Sequence, residues 1–90
     1  MRRSKLETCL CILETLASHG PLKITHVMQK ANVNCNILKN HLDFLIKQCA
    51  VEERIVGKNR VVFAITPRGV NLLRFFVNLQ PVIEELENEN

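Results

Sequence analysis

The chain has 90 residues, 47% of them hydrophobic, and a formal net charge of +3 at pH 7, enough for one small domain with a modest core. No apolar run approaches a membrane span, and the basic start, Met1 to Lys5, leads into no signal-peptide h-region, so an intracellular, cytoplasmic protein is expected. Residues 1–66 hold ten Lys and Arg against five Asp and Glu, whereas residues 67–90 hold two against four, which suits an anionic partner for the body and another for the tail.

Ser4-Lys5-Leu6-Glu7 reads as a capping box, with Ser4 at the N-cap and Glu7 reaching back. The helix that follows is expected to bury Leu6, Cys9, Leu10, Leu13, Leu16 and Ala17, and His19-Gly20-Pro21 stops it. Residues 22–31 form a short second helix with Ile24, Val27, Met28 and Ala31 inward. Asn32-Val33-Asn34 makes a tight turn, and Asn34 caps a third helix by accepting from its first free amides. Along that helix Leu38, Leu42, Leu45 and Ile46 define an apolar stripe with Cys49 at its end. Steps of about 100° put Asn36, Asn40, Asp43 and Lys47 on the opposite face, with Lys39 at its margin. A short helix, a tight turn and a longer amphipathic helix make a helix-turn-helix.

Beyond Cys49 the period changes. β-Branched and aromatic runs around Gly57-Lys58-Asn59-Arg60 predict a hairpin, with strands near 51–56 and 61–66 and a basic tip. Thr66-Pro67 then opens a last helix. Val70, Leu73 and Val77 are expected to face the domain, while Leu72, Phe76, Leu79, Ile83 and Leu86 follow heptad spacing. Pro81 is expected to kink or restart this helix, limiting its regular seam to 67–80.

Cys9, Cys11, Cys35 and Cys49 show no zinc-ligand spacing, and Cys9 and Cys11 point to nearly opposite sides of one helix, so reduced, metal-free thiols are expected. No glycine-rich phosphate loop and no nucleophile–base arrangement is recognisable, which argues against an enzyme and implies no cofactor. Cys35, at a helix start, is either a redox-sensitive thiol or an unreactive semi-buried one. His19 and His41 read as surface and core-edge residues, and His26 as an exposed side chain within reach of phosphate.

The element order is that of a winged helix, mainly α with one small hairpin (α+β). Residues 1–66 form the winged helix-turn-helix core and residues 67–90 a C-terminal helix. The stretches GPLKITHVMQKANVNCNILKNHLDFLIKQ, VEER and VVFAITPRGVNLL also resemble the small archaeal winged helix-turn-helix DNA-binding proteins, specifically the group that dimerises through an antiparallel coiled coil of the C-terminal helix. The resemblance covers about residues 4–79 and is most specific at Lys30-Ala31-Asn32, Leu42 to Lys47 and Thr66-Pro67-Arg68-Gly69. Cys49 departs from it, standing where such sequences commonly carry glycine.

The resemblance implies that residues 35–48 enter the major groove of double-stranded DNA. Asn36, Lys39 and Asn40 would then meet base edges or phosphates, with Asn34 on phosphate and Lys47 on phosphate or in solvent. Asp43 either accepts from a cytosine amino group or stays solvated. Arg54, Lys58, Asn59 and Arg60 would form the wing, and Arg2, Arg3 and Lys5 an additional phosphate grip. A transcriptional regulator or chromatin-associated protein of the nucleoid is expected, working as a homodimer joined through Leu72, Phe76, Leu79, Ile83 and Leu86. The competing reading is a winged-helix adaptor that binds protein rather than DNA.

Overall fold

A computed structural model describes residues 4–88, so Arg2, Arg3 and the tail acid Glu89 lie outside the described residues. Four helices and one hairpin follow each other as α1 (Lys5–His19), α2 (Ile24–Ala31), α3 (Cys35–Lys47), β1 (Val51–Val56), β2 (Arg60–Ile65) and α4 (Pro67–Glu87). The expected α+β class and element order are observed.

Helix α1 starts at the capping box: the Glu7 amide donates to Ser4 Oγ at 3.0 Å, and the Ser4 amide donates to Glu7 Oε1 at 3.2 Å. Its buried face differs from the expected one. Leu6 is 48% exposed and Ala17 is exposed, whereas Thr8, Ile12 and Thr15 are buried. The two threonines go inside because their hydroxyls donate to carbonyls one turn back, Thr8 to Ser4 at 3.1 Å and Thr15 to Cys11 at 2.8 Å. Bonded in this way, each presents its methyl group inward without stranding a polar atom.

Helix α2 begins at Ile24 rather than residue 22, because Leu22 is used as a one-residue strand. Its amide and carbonyl exchange hydrogen bonds with Phe63 at 3.0 and 2.8 Å, fastening the start of the helix-turn-helix to β2. Asn32 ends α2 in the left-handed region at φ 55°.

Helix α3 is capped by Asn34, whose Oδ1 accepts from the Ile37 amide at 3.0 Å. At its other end Cys49 takes φ 61°. The Cys49 amide donates to Ile46 and the Ala50 amide to Leu45, both at 2.9 Å. This is the paired bonding of a left-handed helix stop, built here on a residue that has a β-carbon.

Strands β1 and β2 pair antiparallel from Val51↔Ile65 to Val56↔Arg60. Arg60 therefore belongs to the strand rather than the tip, and the loop is Gly57-Lys58-Asn59, with Gly57 at φ 61°. The core gathers Ile12, Leu13 and Leu16 of α1, Val27 and Ala31 of α2, Leu38, Leu42 and Leu45 of α3, and Ala50 and Val51 at the hairpin base.

Helix α4 opens on Thr66, whose Oγ1 accepts from the Gly69 amide at 3.0 Å. It does not stop or restart at Pro81, which sits inside a continuous helix ending at Glu87. The proline removes one backbone donor, and every residue from 80 to 88 is exposed. Leu73 reaches the core as expected, together with Leu72, but Val77 is 50% exposed because the domain ends below it. The radius of gyration is 14.1 Å, against about 12 Å for a compact chain of this length. The projecting half of α4 accounts for the excess. Among the described residues no helix is long and apolar enough to cross a membrane.

Candidate nucleic-acid interface

The outward face of α3 is set by its buried one. With Leu38, Leu42 and Leu45 at 4% exposure or less, the helix turns Asn36, Asn40, Asp43 and Lys47 to solvent, and all four are exposed, as are Lys39 and the apolar Ile37 and Phe44. Among the described residues, none of the side chains of Asn36, Lys39, Asn40 and Lys47 makes an intramolecular hydrogen bond. Amide groups able to donate and accept, flanked by ammonium groups, stand uncommitted on one helix. Asn34 is exposed too, but its carbonyl oxygen is spent on the cap, leaving only its amide NH2 for a partner.

The hairpin carries the second group of sequence-named residues. Lys58 and Asn59 occupy the loop and Arg60 its first paired position, all three exposed. Arg54 is different. Its Nε donates to Glu52 Oε1 at 2.6 Å, with the terminal nitrogen at 2.5 Å from the same oxygen. The two side chains sit on one face of β1, and the carboxylate largely cancels the charge that Arg54 would offer an anion. This is the one ion pair among the described residues.

Sequence reasoning missed a contributor. Between the start of α2 and the wing tip lies an open groove of about 750 Å³, lined by Lys23, Thr25, Lys58, Asn59 and Arg60 among others, with no acidic residue. Lys23 comes to this groove through the Leu22–Phe63 pairing, a contact between residues far apart in sequence. No local pattern signals it.

What holds α3 in place is the stretch Thr66 to Gly69. Thr66 Oγ1 donates to the Cys49 carbonyl at 2.5 Å, Arg68 Nε donates to the Gln48 carbonyl at 2.9 Å, and the Thr66 amide donates to Ala50 at 3.0 Å. Gly69 is buried there, and a β-carbon on it would overlap the Ala50 carbonyl oxygen. The start of α4 thus satisfies the carbonyls of Gln48, Cys49 and Ala50 just beyond α3 and fixes the two helices to each other.

A second, largely apolar concavity of about 620 Å³ lies between α1, the flank of α3 and the first half of α4. His41, on its wall, places Nδ1 at 2.7 Å from the Ile37 carbonyl, where the ring nitrogen must donate. Phe44 also lines it and is 53% exposed. Burial raises the Cys9 thiol above its ordinary pKa. None of the four cysteines forms a disulfide. Among the described residues no group of His, Cys, Asp and Glu is assembled for a metal ion.

Of the residues expected on the outer stripe of α4, Leu72 packs against the core, Phe76 and Leu79 are half-buried, and Ile83 and Leu86 are 40% and 65% exposed. Phe75, Val77 and Val82, unassigned by the heptad reading or expected inside, are at least 50% exposed.

A family model described as winged helix-turn-helix matches residues 2–84. Among solved structures, the chain is similar to a Bordetella bronchiseptica protein whose DNA binding is regulated by 6-hydroxynicotinic acid (TM-score 0.79, 17% identity, 90% of this chain and 60% of that one). It is similar to a MarR-family transcriptional regulator from Silicibacter pomeroyi (TM-score 0.72, 19% identity, 94% and 56%). It is also similar to a DNA-binding protein from Sulfolobus solfataricus (TM-score 0.75, 21% identity, 97% and 92%). At these identities the likeness is one of fold, and the chain spans only about 60% of the length of the first of them. No curated protein matches the sequence significantly.

Proposed function

We propose that this chain, which belongs to the winged helix-turn-helix family, binds double-stranded DNA as a transcriptional regulator or chromatin-associated protein of the nucleoid. The observation that carries the reading is the set of exposed side chains without an intramolecular hydrogen bond, Asn36, Lys39, Asn40 and Lys47 on α3. In the major groove a side-chain amide pairs bidentately with adenine, and lysine meets guanine acceptors or phosphate. Asn36 and Asn40, in the half of the helix that enters deepest, take the base edges, while Lys39 and Lys47 serve the backbone. Asn34 offers its amide NH2 to phosphate.

The wing adds charge. Lys58, Asn59 and Arg60 grip the backbone beside Lys23, and Arg54 contributes less because Glu52 holds it. The fold of known regulators and DNA-binding proteins supports this role without naming a sequence.

The working unit in this reading is a homodimer built on residues 67–90 and joined through Leu72, Phe76, Leu79, Ile83 and Leu86. Helix α4 projects from the domain with an apolar stripe bare on its far half, too much for so small a surface to leave in water. Its charges favour an antiparallel pair. Parallel copies would oppose Glu84, Glu85 and Glu87 to themselves.

Duplex binding measured over a salt series tests the function. Lys58→Ala should lower the log–log salt slope by about one unit, and Asn40→Ala should change the ranking of duplexes instead. Absence of binding to any duplex at low salt would transfer the reading to a protein-binding adaptor.

A further inference from the structure

We infer that Ile37 is a specificity-determining residue that reads the C5-methyl group of thymine in the major groove. The inference rests on the DNA-binding reading above and adds to it one base and the group by which that base is told apart.

Ile37 is 45% exposed in the first turn of α3, and it belongs neither to the core nor to the hydrophobics packed on it. Of the large apolar side chains left exposed among the described residues, Leu6 and Phe44 line the apolar concavity, and Val56 and Val61 the basic groove. The others, except Ile55 on the wing, lie along α4. Ile37 stands instead among the polar side chains offered to DNA. It follows Asn36 directly and lies about 60° round the helix from Asn40.

The chemistry of that position selects what it meets. A phosphate, or a nitrogen or oxygen on a base edge, gains nothing from an isoleucine. The apolar group that the major groove presents is the C5-methyl of thymine. Ile37 also sits in the half of the helix that enters deepest. Ile37 and Asn40 are three residues apart, so their β-carbons are separated by about 5–6 Å, against a rise of about 3.4 Å per base pair. The adenine taken by Asn40 and the thymine met by Ile37 therefore belong to one A·T pair or to neighbouring pairs.

The side chain is held ready for this contact. The Ile37 amide donates to Asn34 Oδ1 at 3.0 Å, and the Ile37 carbonyl accepts from His41 Nδ1 at 2.7 Å. In a helix a β-branched side chain keeps one strongly preferred rotamer. Ile37 thus loses little freedom on meeting the methyl.

Removing the methyl from the DNA tests this on the unmodified protein. Duplexes that the protein selects from a random pool are remade with uracil in place of thymine, and affinities are compared at one salt concentration. Uracil should weaken binding about fourfold per contacted thymine, the worth of one buried methyl. Bromouracil, which carries a bromine close to a methyl in size at the same carbon, should restore it. Ile37→Ser changes an exposed side chain, so it should leave the circular dichroism unchanged and bind thymine and uracil duplexes equally. Equal affinity of the unmodified protein for the two duplexes overturns the inference and leaves DNA binding standing. A thymine preference that survives Ile37→Ser, or that bromine does not restore, belongs to duplex shape and overturns it as well. Absence of binding to any duplex at low salt overturns both readings.

Discussion

At the scale of single residues, the position with the clearest energetic consequence is Cys49. It holds φ 61° at the end of α3, where a β-carbon crowds the following carbonyl and costs about 1–2 kcal/mol. The side chain is exposed, so its removal forfeits little packing. Part of the gain returns as unfolded-chain entropy. Cys49→Gly should therefore stabilise the fold by about 0.5–1 kcal/mol, read as a higher urea midpoint at unchanged slope. A lower midpoint would mean that the thiol makes a contact worth more than the strain. Cys9 behaves oppositely. Burial raises its pKa, which disfavours the thiolate, so its alkylation should begin at higher pH than that of an ordinary thiol.

At the scale of elements, the junction of α3 and α4 carries the architecture. Three hydrogen bonds and the close approach of Gly69 to Ala50 lock the end of α3 to the first turn of α4. Gly69→Ala forces this contact apart and should destabilise by about 1–3 kcal/mol, the usual cost of overfilling a packed site. A denaturation curve matching that of the unmodified protein would show that the junction yields freely. The motif Thr66-Pro67-Arg68-Gly69 was recognisable from sequence, but its purpose was not, because the partners at Gln48, Cys49 and Ala50 are set by tertiary packing.

The same division runs through the other elements. The capping box of α1, the Asn34 cap and the stripe of α3 follow from neighbours a few residues apart, and all three were legible. The inward face of α1 was misread because hydropathy counts Thr8 and Thr15 as polar, while their hydroxyls are satisfied within the helix. Lys23 was overlooked because only the Leu22–Phe63 pairing brings it to the wing. Pro81 predicts a kink or a restart, and the helix does not restart, because a proline in an exposed segment costs one hydrogen bond rather than the helix itself.

At the scale of the whole molecule, the body and the projecting half of α4 divide the work. The first 66 residues carry most of the positive charge, and the last 24 carry a run of exposed apolar residues, Phe75, Val77, Val82, Ile83 and Leu86, along one helix. Ile83→Glu leaves the domain core untouched, because Ile83 lies beyond it, and places a carboxylate in the proposed seam. It should convert a micromolar dimer into a folded monomer, seen as halved mass in sedimentation with unchanged circular dichroism. A variant that remains dimeric would move the interface elsewhere. Two linked domains hold one duplex far more tightly than either does alone, so the monomer should also bind DNA more weakly.

The central claim is that the exposed face of α3 and the basic groove beside the wing hold duplex DNA. It is tested most directly by fluorescence anisotropy of labelled duplexes from about 50 to 200 mM salt, where each neutralised phosphate contributes about −0.9 to the log–log slope. With Lys23, Lys39, Lys47, Lys58 and Arg60 each meeting a phosphate, the slope should be about −4.5 per bound copy, and Lys23→Ala should reduce it by about one unit. No binding to any duplex at about 50 mM salt, or an affinity that salt leaves unchanged, would contradict the account.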